Sequence, residues 1–89
     1  MNRELYRQAV HAALAASEAA KKEPIERRGK LMERAARATF KRAGTSRDAA
    51  DVYACCITAD ILERERRSNA RIDVEQLLPP DPFPTIIPT

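Results

Sequence analysis

One proline and one glycine set the spacing of this chain. Pro24 and Gly44 divide the stretch between Asn2 and Asn69 into three pieces of about twenty residues, while the other glycine, Gly29, falls on an apolar helical stripe. Proline fits the first turn of a helix and glycine fits just past its end. Each piece repeats its apolar residues at intervals of three and four, the period of a helix buried on one side. A chain cut this way folds as three helices, and two tight connections favour antiparallel neighbours. No stretch alternates with the period of a strand.

The first predicted helix starts at a cap on Asn2 and runs to about Lys22. Leu5, Ala9, Ala12, Ala16 and Ala19 form its apolar face, with Tyr6, Val10, Ala13 and Ala20 beside them. Arg3, Glu4, Arg7, His11, Glu18, Lys21 and Lys22 form the other face. The apolar side is mostly alanine, which lets a neighbouring helix approach closely or leaves volume for something else. The second helix runs from Pro24 to Ala43. Ile25, Gly29, Met32, Ala36, Thr39, Phe40 and Ala43 are expected inside. Arg27, Lys30, Arg34, Arg37 and Lys41 fall on one outward stripe. Thr45 and Asp48 resemble a capping box for a third helix, which ends near Ser68. Val52 to Leu62 is apolar on nearly every side, the pattern of a helix buried on two faces. Asp73 can cap a short turn through Leu78. The stretch PPDPFPTIIPT then excludes helix and favours extended chain. The expected division is residues 1–69 as an all-α antiparallel three-helix bundle and residues 70–89 as an extended Pro-rich C-terminal tail.

With 89 residues the chain forms one small domain with a limited core, so a stabilising staple or partner is expected. Cys55 and Cys56 are adjacent, and helical neighbours point about 100° apart, which rules out an ordinary disulfide between them. They read as small buried apolar residues in a reducing compartment. His11 is far from them, so no zinc-ligand set is expected. No apolar run is long enough to span a membrane. Met1 leads straight into charged residues, so no secretory signal is expected. The Arg-bearing, Ala-rich first helix has the character of a mitochondrial address, diluted by Glu4 and Glu18.

No nucleophile–base pair, phosphate loop or metal-ligand spacing is present, and the acids Glu63, Glu65, Asp48 and Asp51 fall on exposed or capping positions. The chain is not expected to be an enzyme. The basic stripe is the informative feature. A merely solvated helix interleaves acids at i+4, whereas Glu26 and Glu33 stand only at the edge of this stripe. Five neighbouring cations favour an anionic partner, either an acidic protein or nucleic acid. Nucleic acid has less support, because no aromatic accompanies the cations for stacking. The stretch FKRAGTSRDAADVYA resembles a helix-turn-helix around Gly44. However, Thr45, Arg47 and Ala50 fit its apolar positions poorly.

Leu5-Tyr6-Arg7 heads the first helix of this small basic bundle, and RATFKR places Phe40 between Arg37 and Lys41 on the second. Gly44-Thr45-Ser46-Arg47-Asp48 follows as loop and cap. Together these resemble the LYR-motif family of mitochondrial adaptor and assembly proteins, over Arg3 to Arg67. The chain departs from the family pattern at Val10 and His11, where a Leu or Met and a cation are common. Its interval from Tyr6 to Phe40 is also longer by a turn or two.

The resemblance implies a partner rather than a cofactor of the chain's own. That partner is an acidic acyl carrier protein, whose acyl-phosphopantetheine places its fatty chain in the bundle core. The pair then docks on a larger multi-subunit mitochondrial complex. It also implies roles for particular residues. Leu5, Tyr6 and Arg7 lie near the phosphopantetheine entrance. Arg34, Arg37 and Lys41 meet the carrier's acids, and Phe40 sits at the mouth of the acyl channel. Ala9, Ala13, Ala16, Met32, Ala36, Val52 and Cys56 line that channel. The alternative, from the stripe alone, is a small nucleic-acid-binding regulator.

Overall fold

A computed structural model describes residues 3–67 and 72–78. The expected Asn2 cap and the Pro-rich stretch 79–89 lie outside these. Among the described residues every regular element is a helix: α1 (Arg3–Ala19), α2 (Ile25–Arg42), α3 (Arg47–Arg67) and the short α4 (Val74–Leu77).

The breakers act where the sequence puts them. Pro24 is the N-cap of α2, extended at φ −55° and ψ 149°, and its carbonyl accepts the Arg28 N–H at 2.9 Å. At the far end Gly44 adopts φ +90°, where a side chain would be strained. There the Thr45 N–H donates to the Phe40 carbonyl and the Gly44 N–H to the Lys41 carbonyl, both at 3.0 Å. These two bonds are the Schellman arrangement that closes a helix C-terminus. The cap of α3 differs from the expected one by a residue. Ser46 Oγ, not the Thr45 hydroxyl, accepts the Ala49 N–H at 3.3 Å, because the two bonds to α2 hold Thr45 in the preceding turn.

α2 packs against both α1 and α3, while α1 and α3 touch each other much less. Tyr6, near the start of α1, meets Phe40 near the end of α2. Ser17, near the end of α1, meets Arg28 near the start of α2. Gly29, Met32, Ala36, Thr39 and Phe40 are buried, as the stripe predicts. Ile25 and Ala43 are not: both are exposed, Ile25 as the first residue of α2 and Ala43 as its C-cap. α4 closes the side between α1 and α3, and Leu77 and Leu78 are buried in the common core. Asp73 caps it, accepting the Glu75 N–H at 3.1 Å, as expected. No helix among the described residues is long and apolar enough to cross a membrane.

Gly29 is the one glycine inside a helix. A Cβ there would meet Leu62 Cδ1 at 3.6 Å and Thr58 Cγ2 at 3.9 Å, which is ordinary contact. Helical glycine costs about 0.5–1 kcal/mol relative to alanine. Gly29→Ala is therefore expected to raise stability by roughly that amount. A urea midpoint at or below that of the parent would mean that α2 and α3 need the closer approach.

Candidate functional site

Three aromatic rings from three helices form the centre of the site. Tyr6 of α1 and Phe40 of α2 lie 6.0 Å apart, centroid to centroid. Tyr53 of α3 lies 6.1 Å from Tyr6 and 5.4 Å from Phe40. All three are buried, Phe40 completely. Edge-to-face rings add stability beyond their buried area. Tyr53 was not anticipated as part of this cluster. The available signal was its place at i−4 and i−8 to Ile57 and Ile61 on one face of α3.

Burial pushes the Tyr6 phenol up to about 12, with smaller contributions from Cys56, Asp60 and Tyr53. The folded state therefore favours the neutral phenol, whereas an unfolded tyrosine loses its proton near 10. This contribution to stability is complete below about pH 10 and is lost as pH rises through the folded value. Tyr6→Phe should accordingly show a shallower fall in melting temperature between about pH 10 and 12. Parallel curves for the two proteins would contradict this.

Around the rings lie the small residues of the predicted channel. Ala9, Ala13, Met32 and Ala36 are fully buried in the same cluster as Tyr6 and Phe40, and Ala16 and Leu5 pack partly against it. Val52 is half-buried and stands outside the cluster. Cys55 and Cys56 are both exposed, which corrects their reading as buried thiols. α3 also buries one face rather than two: Ala50, Tyr53, Ala54, Ile57, Thr58 and Ile61 point inward. Two thiols on the other side explain why its sequence looks apolar all round.

The basic stripe is less bare than the spacing suggests. Arg37 Nε lies 2.6 Å from Asp51 of α3, and Glu33 lies 4.0 Å away on its other side. Arg27 stands 3.7 Å from Glu23. Lys30, Arg34 and Lys41 are exposed and make no ion pair among the described residues. Three open cations therefore replace the expected five. The acid that neutralises Arg37 comes from another helix, which i+4 spacing cannot show.

Arg7 is tied down as well. Its Nε and one terminal nitrogen donate to Glu75 Oε1 of α4 at 3.0 and 2.8 Å, and the other terminal nitrogen binds Glu4. Arg3 reaches the same Glu75 at 3.5 Å. These carboxylates hold the Arg7 guanidinium firmly in its charged form. α4 thus lies across the start of α1, fastened by Glu75 outside and by Leu77 and Leu78 inside. Arg64 of α3 secures its other flank through the Gln76 side chain at 3.2 Å.

No group of three or more metal-ligating side chains gathers among the described residues. No family model, curated protein or solved structure matches this chain. The arrangement itself, an aromatic cluster beside an open row of cations, is what bears on function.

Proposed function

We propose that the chain is a LYR-type mitochondrial adaptor, a non-enzymatic antiparallel three-helix bundle that binds acylated acyl carrier protein. It would dock that carrier on a larger respiratory, iron–sulfur-assembly or mitoribosomal complex, as subunit or assembly factor. One observation carries this reading. Tyr6 and Phe40, from the two separate stretches that resemble the family, share one buried cluster, and each is followed directly by a cation, Arg7 and Lys41. The end-to-end contacts Tyr6–Phe40 and Ser17–Arg28 support the antiparallel order.

Recognition then divides into two parts. Lys30, Arg34 and Lys41 supply an open positive row for an acidic surface, giving steering and register. The alanines at 9, 13 and 36 with Met32 supply an apolar interior for an acyl chain. At about 0.8 kcal/mol per buried methylene, a medium chain adds several kcal/mol to a small core.

The test is intact-mass measurement of what co-purifies when the chain is co-expressed with a mitochondrial-type carrier. The expected partner is an acidic protein bearing acyl-phosphopantetheine, and its removal should lower the melting temperature. Arg34→Glu with Lys41→Glu should weaken carrier binding about 10-fold or more. Equal melting temperatures with and without acylated carrier would overturn the proposal. So would carrier-free protein that binds duplex DNA or RNA through the same cations.

A further inference from the structure

The outer face of α3 is apolar and has no covering element among the described residues. Cys55, Cys56 and Ala59 are exposed, and Val52 and Leu62 are half-buried. Their spacing places Val52, Cys55, Cys56 and Ala59 along one side of the helix, away from the buried stripe, with Leu62 at the edge of that side, where it also packs against the core. Beside Leu62 opens a shallow groove of about 540 Å³, bounded by Ile25, Ala59, Leu62, Glu63, Glu65 and Arg66. Ile25, at its rim, is 62 % exposed, unusual for a large apolar side chain. The stripe ends in opposite charges. Asp48 stands near the start of α3 and Arg66 near its end, five helical turns along the same line. Both are exposed, and neither makes an ion pair among the described residues.

We infer that this face binds a second copy of the chain, with the two α3 helices antiparallel about a twofold axis level with Ile57. That axis sets Asp48 opposite the partner's Arg66, Val52 opposite the partner's Leu62, and Cys55 opposite the partner's Ala59. Symmetry makes each contact twice. The charge pattern selects the occupant. Unlike charges at the two ends of a stripe become complementary when a copy of the stripe is reversed, and an antiparallel self-pair does this. A parallel pair would set Asp48 against Asp48 and Arg66 against Arg66. Small Cys and Ala side chains at the centre allow the helix axes to approach to the short end of the usual 8–10 Å. The groove beside Leu62 receives the partner's Val52. Two like-charged pairs fall level in this register, Arg47 with the partner's Arg67 and Glu63 with the partner's Asp51, and the two arginines stand off the contact line. Both acids are already neutralised in their own chain, by Arg67 at 2.8 Å and by Arg37 at 2.6 Å. The open cations Lys30, Arg34 and Lys41 stand on a different helix, so this pairing is independent of carrier binding.

Sedimentation equilibrium of the full chain, under reductant and from about 1 μM to about 1 mM, tests the pairing. The expected result is a monomer–dimer equilibrium within that range. Ala59→Arg, at an exposed position, should hold the protein monomeric with an unchanged circular-dichroism melt. Asp48→Arg should weaken the dimer about 10-fold or more, and Asp48→Arg with Arg66→Asp should restore it. The charge swap tests the same interface without adding bulk at its centre. A constant monomer mass throughout would overturn the inference. A dimer indifferent to Ala59→Arg, or a double swap that fails to recover what the single change loses, would do the same.

Discussion

Phe40→Ala is expected to leave the isolated protein largely unfolded. Phe40 has no exposed surface, and it is the largest side chain so placed. It stands 6.0 Å from the Tyr6 ring and 5.4 Å from the Tyr53 ring, so its loss removes two of the three ring contacts joining α1, α2 and α3. Truncating a buried phenylalanine costs about 3–5 kcal/mol through lost transfer energy and the cavity left behind. A single core this small supplies roughly 5 kcal/mol in all. Phe40→Leu keeps most of the volume and should cost only about 1–2 kcal/mol. Far-UV circular dichroism with a urea titration separates the two variants. A parent-like midpoint for Phe40→Ala would show that the three rings do not hold the helices together.

Arg28→Ala is expected to cost roughly 2–3 kcal/mol, the largest effect for any charged residue among the described residues. Arg28 belongs to α2, yet its Nε donates to Ser17 Oγ of α1 at 2.9 Å and a terminal nitrogen binds Glu65 of α3. One side chain therefore joins all three long helices. It is 16 % exposed, whereas Glu65 is 35 % exposed, so the penalty for stranding the carboxylate is below that of a fully buried pair. Arg28→Lys should not recover the loss, because a single ammonium lacks the planar fork that reaches both partners. A double-mutant cycle with Glu65→Ala should give a coupling of about 1 kcal/mol or more. A coupling near zero would reduce Arg28 to an ordinary surface cation.

Arg28 also shows where reading the chain alone stops. The helices were legible because their ends are written locally: Pro24 fixes φ at the entry to α2, Gly44 accepts a positive φ at its exit, and Asp73 caps α4. The inward stripe from Gly29 to Phe40 was legible because a single helix period encodes it. What escaped notice depends on a second helix. Arg28 stands among other cations, and nothing beside it reveals that Ser17 and Glu65 converge on it. Asp51 quenches Arg37 from across the bundle. The cysteines misled for a different reason: thiols count as apolar wherever they stand, so α3 offered no polar side to mark its outer face. In the candidate site, the resemblance puts Tyr6 near the entrance and Phe40 at the channel mouth, but neither their ring contact nor the third ring at Tyr53 is written in the spacing. The fastening of Arg7 by Glu75 was equally hidden, since the two residues are 68 positions apart.

That long separation has a consequence for the order in which the molecule assembles. The α1–α2 and α2–α3 contacts join neighbours in the chain and close short loops, so they form early. α4 is held by residues of both α1 and α3, and four residues make no stable helix unaided. It can settle only after the three long helices are in place. Until then the opening between α1 and α3 has no Leu77 or Leu78 in it, and the core is within reach of an apolar molecule arriving from outside.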